Sequence, residues 1–271
     1  MREEDFMKRS IVKKWALILA AIGLAAAAAG CGRDSAQAGA KAQPLETLRV
    51  VGEATYPPME YKNEQGRIVG FDVDLAEAIA KELNKTAVYM DKPFQECIPA
   101  LEAGEADLII SAAEGTKERS EKVLFSDVYF PKGLYSVLVR RDTKDIRFAD
   151  DMAGRKVAAV AGTTNEIMAR KLGADIVPVE RNEDLFRNLE DGKVDAVIVD
   201  ESLELYYLGH GGAEKVRTAI SIPSSEGFVV MMNKKDTELQ AKVNQVLKTI
   251  MTSGEYEKIS SKWFNKSFFG T

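Results

Sequence analysis

The chain has 271 residues, 45% of them apolar and 29% charged, with a formal net charge of −5. That is the composition of a globular protein, long enough for one large domain or two modest lobes. The acidic balance provides no basic face for nucleic acid. A lone histidine, His210 in a Gly-rich loop, argues against a histidine-based zinc site or a Ser-His-Asp triad, and no P-loop or metal-spaced cysteine pair occurs. Neither a cofactor nor a metal is expected.

Residues 1–31 read as targeting sequence rather than fold. Lys8, Arg9, Lys13 and Lys14 form a positive region, and Trp15 to Ala29 is an apolar run of signal-peptide length, short for a membrane span. It ends Ala28-Ala29-Gly30-Cys31, which resembles the bacterial lipoprotein box, with Ala28 where Leu is usual. Cys31 is therefore the expected lipidation site, and a cleaved secretory signal without lipid is the alternative. Residues 32–45 are small and polar and suit a flexible tether. Cys97 falls on a helix face with Phe94, Ile98 and Leu101 and is expected to be buried, without a disulfide.

From Leu48 the pattern is strand, rigid Pro57-Pro58 loop, turn at Asn63–Gly66, then a helix that Asp72 is expected to cap, with Leu75, Ile79 and Leu83 on one face. A second helix follows Pro93 and stops at Gly104, leading into a buried strand, Leu108 to Ile110. Thr116 is the expected N-cap of the next helix, which carries Arg119 in its first turn. Ser126 to Pro131 breaks the rhythm. Leu134 to Val139 is a strand and opens a second series: strand 156–160, a helix to Leu172, strand 176–179, helix 182–191 and strand 194–199. A strand at 228–232 and helices from Thr237 and Glu255 close the pattern. Strands alternating with helices predict an α/β fold with parallel sheets. Leu101-Glu-Ala-Gly-Glu-Ala-Asp-Leu-Ile-Ile110 also echoes Leu189-Glu-Asp-Gly-Lys-Val-Asp-Ala-Val-Ile198, as two similar α/β lobes would.

Ligands of open α/β sheets bind off the carboxyl ends of strands. Four such ends carry unusual chemistry: Glu53 to Tyr56, Ser111 to Arg119, Gly162 to Asn165, and Asp200-Glu201. Arg119 at a helix N-terminus reads either as a fork for a carboxylate or as a surface Arg paired to Glu118 or Glu121. Thr163 and Thr164 offer hydroxyls at a second helix start, or are plain caps. Asp200 offers a carboxylate for an ammonium, or is a helix cap. Tyr56 and Phe94 could supply flat apolar walls. Together these describe a site for an α-amino acid.

Glu53-Ala-Thr-Tyr-Pro-Pro-Met-Glu60, Gly70-Phe-Asp-Val-Asp-Leu-Ala76, Ile98-Pro-Ala-Leu101, Lys117-Glu-Arg119, Phe125-Ser-Asp127, Ala161-Gly-Thr-Thr164, Gly192-Lys-Val-Asp-Ala196 and Lys262-Trp-Phe264 span the chain after the tether. In that order they resemble the family 3 extracellular solute-binding proteins, the polar amino-acid receptors of ABC importers. The resemblance implies a two-lobed type II clamshell, each lobe a mainly parallel sheet flanked by helices, with two hinge strands. It puts lobe 1 at 46–133 plus 228–271 and lobe 2 at 134–227. It assigns the ligand carboxylate to Arg119, Thr163 and Thr164, the ammonium to Asp200, the side-chain sandwich to Tyr56 and Phe94, and a cationic side chain to Glu53. Ser111 and Asn165 flank these positions. Where the family commonly has small hydroxyl residues, this chain has Ala112, which can still offer its backbone, and Glu114. An acid there turns away, pairs with Arg119, or meets a cationic ligand group, and with Glu53 it tilts the expectation towards a basic or amide-rich amino acid.

The resulting expectation is a monomeric, lipid-anchored, extracytoplasmic receptor that passes a polar amino acid to permease subunits and does no chemistry. The alternatives are an enzyme on the same fold, dehydratase-like, with Glu53 or Glu114 as acid or base, and a ligand-sensing module.

Overall fold

Strand β1 (Glu46–Gly52) is buried along its second half, with Val50 and Val51 fully enclosed. The computed structural model that shows it describes residues 45–131, 133–224 and 227–264, so the signal, Cys31 and the tether before Leu45 lie outside the described residues. After β1 come a three-stranded antiparallel meander, β2 (Thr55–Tyr56), β3 (Glu60–Lys62) and β4 (Ile68–Val69), and helix α1 (Phe71–Glu82). The chain continues through β5 (Lys85–Asp91), α2 (Phe94–Glu102), β6 (Leu108–Ile109), the short α3 (Lys117–Ser120) and β7 (Val123–Pro131). The next series is β8 (Leu134–Arg140), β9 (Lys156–Val160), α4 (Thr164–Lys171), β10 (Asp175–Val179), α5 (Asn182–Glu190), β11 (Ala196–Asp200), α6 (Glu201–Gly209) and β12 (Val216–Pro223). Strand β13 (Gly227–Asn233) and helices α7 (Thr237–Ser253) and α8 (Glu255–Trp263) follow.

These strands build two five-stranded sheets with the same plan, β5-β1-β6-β13-β7 and β10-β9-β11-β8-β12. Each is mixed rather than mainly parallel. The pairs β5–β1 and β1–β6 are parallel while β6–β13 and β13–β7 are antiparallel, and β10–β9, β9–β11, β11–β8 and β8–β12 repeat that sequence. The antiparallel strands are the ones that carry the chain from one sheet to the other, once between β7 and β8 and back between β12 and β13. The two crossings lie side by side, where Ser224 N–H donates to Gly133 O at 2.9 Å.

The internal echo has a structural counterpart. Asp107 N–H donates to Arg49 O and Arg49 N–H donates to Asp107 Oδ2, both at 2.8 Å. In the second sheet Asp195 N–H donates to Lys156 O at 2.8 Å and Lys156 N–H donates to Asp195 Oδ2 at 2.9 Å. In each sheet an Asp ahead of the central strand thus pins its parallel neighbour, at mid-strand in β1 and at the start of β9.

Helix α1 starts two residues earlier than expected. Gly70 occupies the N-cap, at φ 145°, and a Cβ there would meet Met59 O at 2.0 Å. Asp72 therefore lies inside the helix, fully buried, and does not cap it. Beside the short meander β2–β4, read from sequence as a loop and a turn, the strands that the sequence reading missed in the two large sheets, β5, β7 and β12, are all edge strands, and β5 and β12 are largely half-exposed. Their apolar runs are short because only one side of each is covered.

The first sheet packs on an aromatic cluster. Phe71 meets Phe130 at 5.4 Å, Tyr256 at 5.6 Å and Phe264 at 5.6 Å between ring centroids. Trp263 Nε1–H donates to Asp74 Oδ2 at 2.7 Å, which ties α8 back onto α1. Cys97 is 1% exposed, and burial pushes its thiol up to about 12. No helix among the described residues is long and apolar enough to cross a membrane. Since Phe71 is fully enclosed by rings, Phe71→Ala should cost about 3–5 kcal/mol in denaturant unfolding. A loss below about 1 kcal/mol would mean the cluster collapses around the void.

Candidate functional site

The carboxyl ends of β1, β6, β9 and β11 face one another across a cleft. Their continuations, with β2, α2, α4 and α5, enclose a small cavity of about 30 Å³. All eleven residues singled out for ligand contact line it: Glu53, Tyr56, Phe94, Ser111, Ala112, Glu114, Arg119, Thr163, Thr164, Asn165 and Asp200. Five others complete the wall: Glu60, Val160, Asn182, Leu185 and Ile198. The only available sequence signals were an acid in the Pro-Pro-Met-Glu60 motif and an Asn opening a helix. Val160, Leu185 and Ile198 read as ordinary core.

The floor is a chain of hydrogen bonds. Glu53 N–H donates to Ser111 Oγ at 3.0 Å, and that hydroxyl donates to Glu60 Oε1 at 2.7 Å. Ala112 stands at φ 41°, a left-handed conformation, and its N–H donates to Asp72 Oδ2 at 2.7 Å, so its backbone donor points into the protein rather than at the cavity. Tyr129 O–H also donates to Asp72 Oδ2, at 2.9 Å. Burial raises both carboxyls of the Glu60–Asp72 pair. Glu60 goes well above the usual carboxylate range, helped by the charge of Asp72. Asp72 reaches about 7, held down by the Ala112 and Tyr129 donors. Two buried acids side by side cannot both ionise, so the pair keeps a proton on Glu60 at neutral pH.

The walls are joined across the cleft. Tyr56 O–H donates to Asp200 Oδ2 at 2.5 Å. Asp200 is at the N-cap position of α6 but makes no side-chain cap bond. Thr164 Oγ1–H donates to Glu114 Oε1 at 2.7 Å. Arg119, 7% exposed, donates from Nη1 to Glu114 O at 2.9 Å and from Nη2 to Gly162 O at 3.0 Å, and lies 3.6 Å from Glu114 Oε2. Its guanidinium sits 4.9 Å above the Phe94 ring. Of the alternatives the sequence leaves for Glu114, pairing with Arg119 is the one observed, and the pairing of Arg119 to Glu118 or Glu121 is not. Thr116 and Thr163 both act as N-caps, accepting from Arg119 N–H at 3.2 Å and Glu166 N–H at 3.3 Å. Asn165 turns a buried Oδ1 with no hydrogen-bond partner among the described residues into this region.

Glu53 closes one end. Oε2 accepts from Asn182 Nδ2 at 2.6 Å and Oε1 accepts from Thr55 Oγ1–H and, at 3.3 Å, from Arg181. It is 3% exposed, and burial pushes its carboxyl up to about 7 although Thr55 and Arg181 pull the other way. A carboxylate so placed can receive a cation but little else.

The family model described as bacterial extracellular solute-binding proteins, family 3, matches residues 48–266. The chain belongs to this family. A probable histidine-binding protein of Neisseria gonorrhoeae is 32% identical over 263 residues, covering 94% of this chain and 97% of the relative. An arginine-binding extracellular protein of Bacillus subtilis (strain 168) is 30% identical over 259 residues, 93% and 98% of the two chains. Among solved structures, an ancestral arginine-binding protein bound to arginine superposes with a TM-score of 0.77 at 34% identity, covering 82% of this chain and all of that one. These relatives are named as binding proteins, and the family is described as one of solute-binding proteins.

Within that family 3 architecture the Glu60–Asp72 pair gives a testable signature. Both carboxyls are raised on folding, so their contribution to stability is fully present in acid and is lost as the pH rises through the folded value of about 7. Glu60→Gln supplies a permanent N–H donor and removes the shared proton. The variant's melting temperature should fall less steeply than that of the parent between about pH 4 and pH 8. Parallel curves would exclude the shared proton.

Proposed function

We propose that this chain captures a basic amino acid between its two sheets and delivers it to the membrane subunits of an ABC permease. The charge of the cavity wall carries this reading. Among the described residues it presents one guanidinium, Arg119, with three carboxylates, Glu53, Glu114 and Asp200, while Glu60 holds a proton. A zwitterion with a cationic side chain brings one carboxylate and two cations, the complementary pattern, and burial adds weight to that complementarity. In this reading Arg119, Thr163 and Thr164 take the α-carboxylate, displacing Glu114 towards the ammonium that Asp200 also receives. Tyr56 and Phe94 flank the stem, Ser111, Ala112 and Asn165 shape the floor, and Glu53 meets the distal cation. The histidine- and arginine-binding relatives support the same ligand class.

The two sheets with their helices act as lobes, 46–133 with 228–271 and 134–227. A ligand touching both favours the closed arrangement, which the permease reads. The chain works as a monomer and without chemistry, tethered outside the cytoplasm by lipid on Cys31.

A thermal-shift screen of the purified chain against the amino acids tests this, because a ligand of the folded state raises the melting temperature by mass action. Arginine, lysine or histidine should give the largest rise. Arg119→Met and Asp200→Asn should each weaken binding roughly 30-fold or more, as expected when one partner of a buried charge pair is removed. A rise confined to neutral amino acids would sink the basic preference, and no rise with any would sink the reading. The pH dependence is a second check. Below about 7 Glu53 takes up a proton, so arginine affinity should fall as the pH is lowered, towards tenfold per unit at most, while citrulline, its neutral isostere, stays level.

A further inference from the structure

Outside the cavity, Arg181 ties the two sheets at their edges. It follows β10 at the N-cap of α5, and its Nη1 lies 2.5 Å from Asp91 Oδ1 and 3.3 Å from Glu53 Oε1. Asp91 is the last residue of β5, and β5 and β10 are the corresponding edge strands of the two sheets. The side chain of Arg181 is 27% exposed, against 4% for Glu53 and 12% for Asp91. It therefore approaches Glu53 from the solvent side, while the cavity borders Glu53 from within. Asp91 is well served without it, accepting from Lys62 Nζ at 2.6 Å and Ala54 N–H at 3.1 Å.

We infer that Arg181 is a resident counter-ion that shares Glu53 with the ligand's distal cation, so that its balance between Glu53 and Asp91 sets how strongly basic ligands are preferred over neutral ones. The inference rests on the proposed amino-acid reading and goes beyond it by naming a residue that the ligand does not touch. Two cations on one carboxylate oppose each other. A cationic side chain gains the full attraction of Glu53 only as Arg181 withdraws to Asp91, while a neutral isostere is indifferent to that exchange. The contact nearer in distance, to Asp91, holds Arg181 within reach of Glu53 without committing it there.

Two variants should move the preference in opposite directions. Arg181→Met keeps the stem and removes the competing charge. Asp91→Asn keeps an acceptor for Ala54 N–H but releases Arg181 towards Glu53. Calorimetric titration of the purified chain with arginine and citrulline, at about pH 8.5 where Glu53 is ionised, gives the affinity ratio. Arg181→Met should raise the arginine-to-citrulline ratio roughly three- to tenfold and Asp91→Asn should lower it by a similar factor. An unchanged ratio in both variants, or a shift of the same sign in both, overturns the inference, since a purely structural residue would weaken both ligands alike. If the parent chain binds neither ligand, the proposed function falls and the inference falls with it, whereas a parent chain that binds both with a ratio that neither variant moves overturns the inference alone. Melting temperatures confirm that each variant is folded.

Discussion

A carboxylate taken out of water must find donors, and the cleft of this protein and its floor bury five carboxyl groups, those of Glu53, Glu60, Asp72, Glu114 and Asp200. Three of them are satisfied from the opposite side. Asp200 accepts from Tyr56, Glu114 from Thr164, and Glu53 from Asn182. The cost of burying these acids is thus offset by bonds that also draw the two sheets together. Among the described residues Glu60 and Asp72 have no such partner across the cleft, and they are accommodated within one half, by sharing a proton beneath Ser111 and Ala112. The polar floor and the aligned strand ends are consequences of the same requirement.

The two sheets meet that requirement with one repeated scheme. Each places a Gly stop, an Asp and a buried strand at its centre, and each Asp makes the same pair of bonds to the neighbouring strand. The halves differ in what is added. Arg49 further clamps Asp107 through Nε at 3.2 Å and Nη2 at 2.6 Å, whereas Lys156 gives Asp195 only its backbone. Function-specific groups appear after the shared core has ended, on the residues just beyond each strand.

Much of this was readable from residues alone. Thr116 and Thr163 announce helix starts, and Arg119 and Asp200 stand where strand ends face a cleft, so part of the cavity wall could be named before any coordinates, with the family resemblance adding Ala112 and Glu114. The failures have physical causes. Strands β5 and β12 lie at sheet edges and carry little apolar periodicity. Asp72 looks like a cap because acids favour helix starts, yet Gly70 is required by the close approach of Met59 and starts the helix two residues earlier. Asn182 and Arg181 look like a solvated helix start, and their bonds to Glu53 run between residues 128 or more apart in sequence. Nothing local encodes a contact that only the mutual placement of two sheets creates.

The enclosed Cys97 has a consequence for how such a protein can be handled. Of the two cysteines in the chain, Cys31 lies outside the described residues, among which Cys97 is the single thiol. At 1% exposure and with its ionisation pushed up to about 12, it presents almost no thiolate to a reagent at neutral pH. The folded part is in effect a chemically silent background. A cysteine introduced on either side of the cleft would be the one reactive sulfur, so a dye or spin probe could report on the distance between the halves without first removing a native residue from the core.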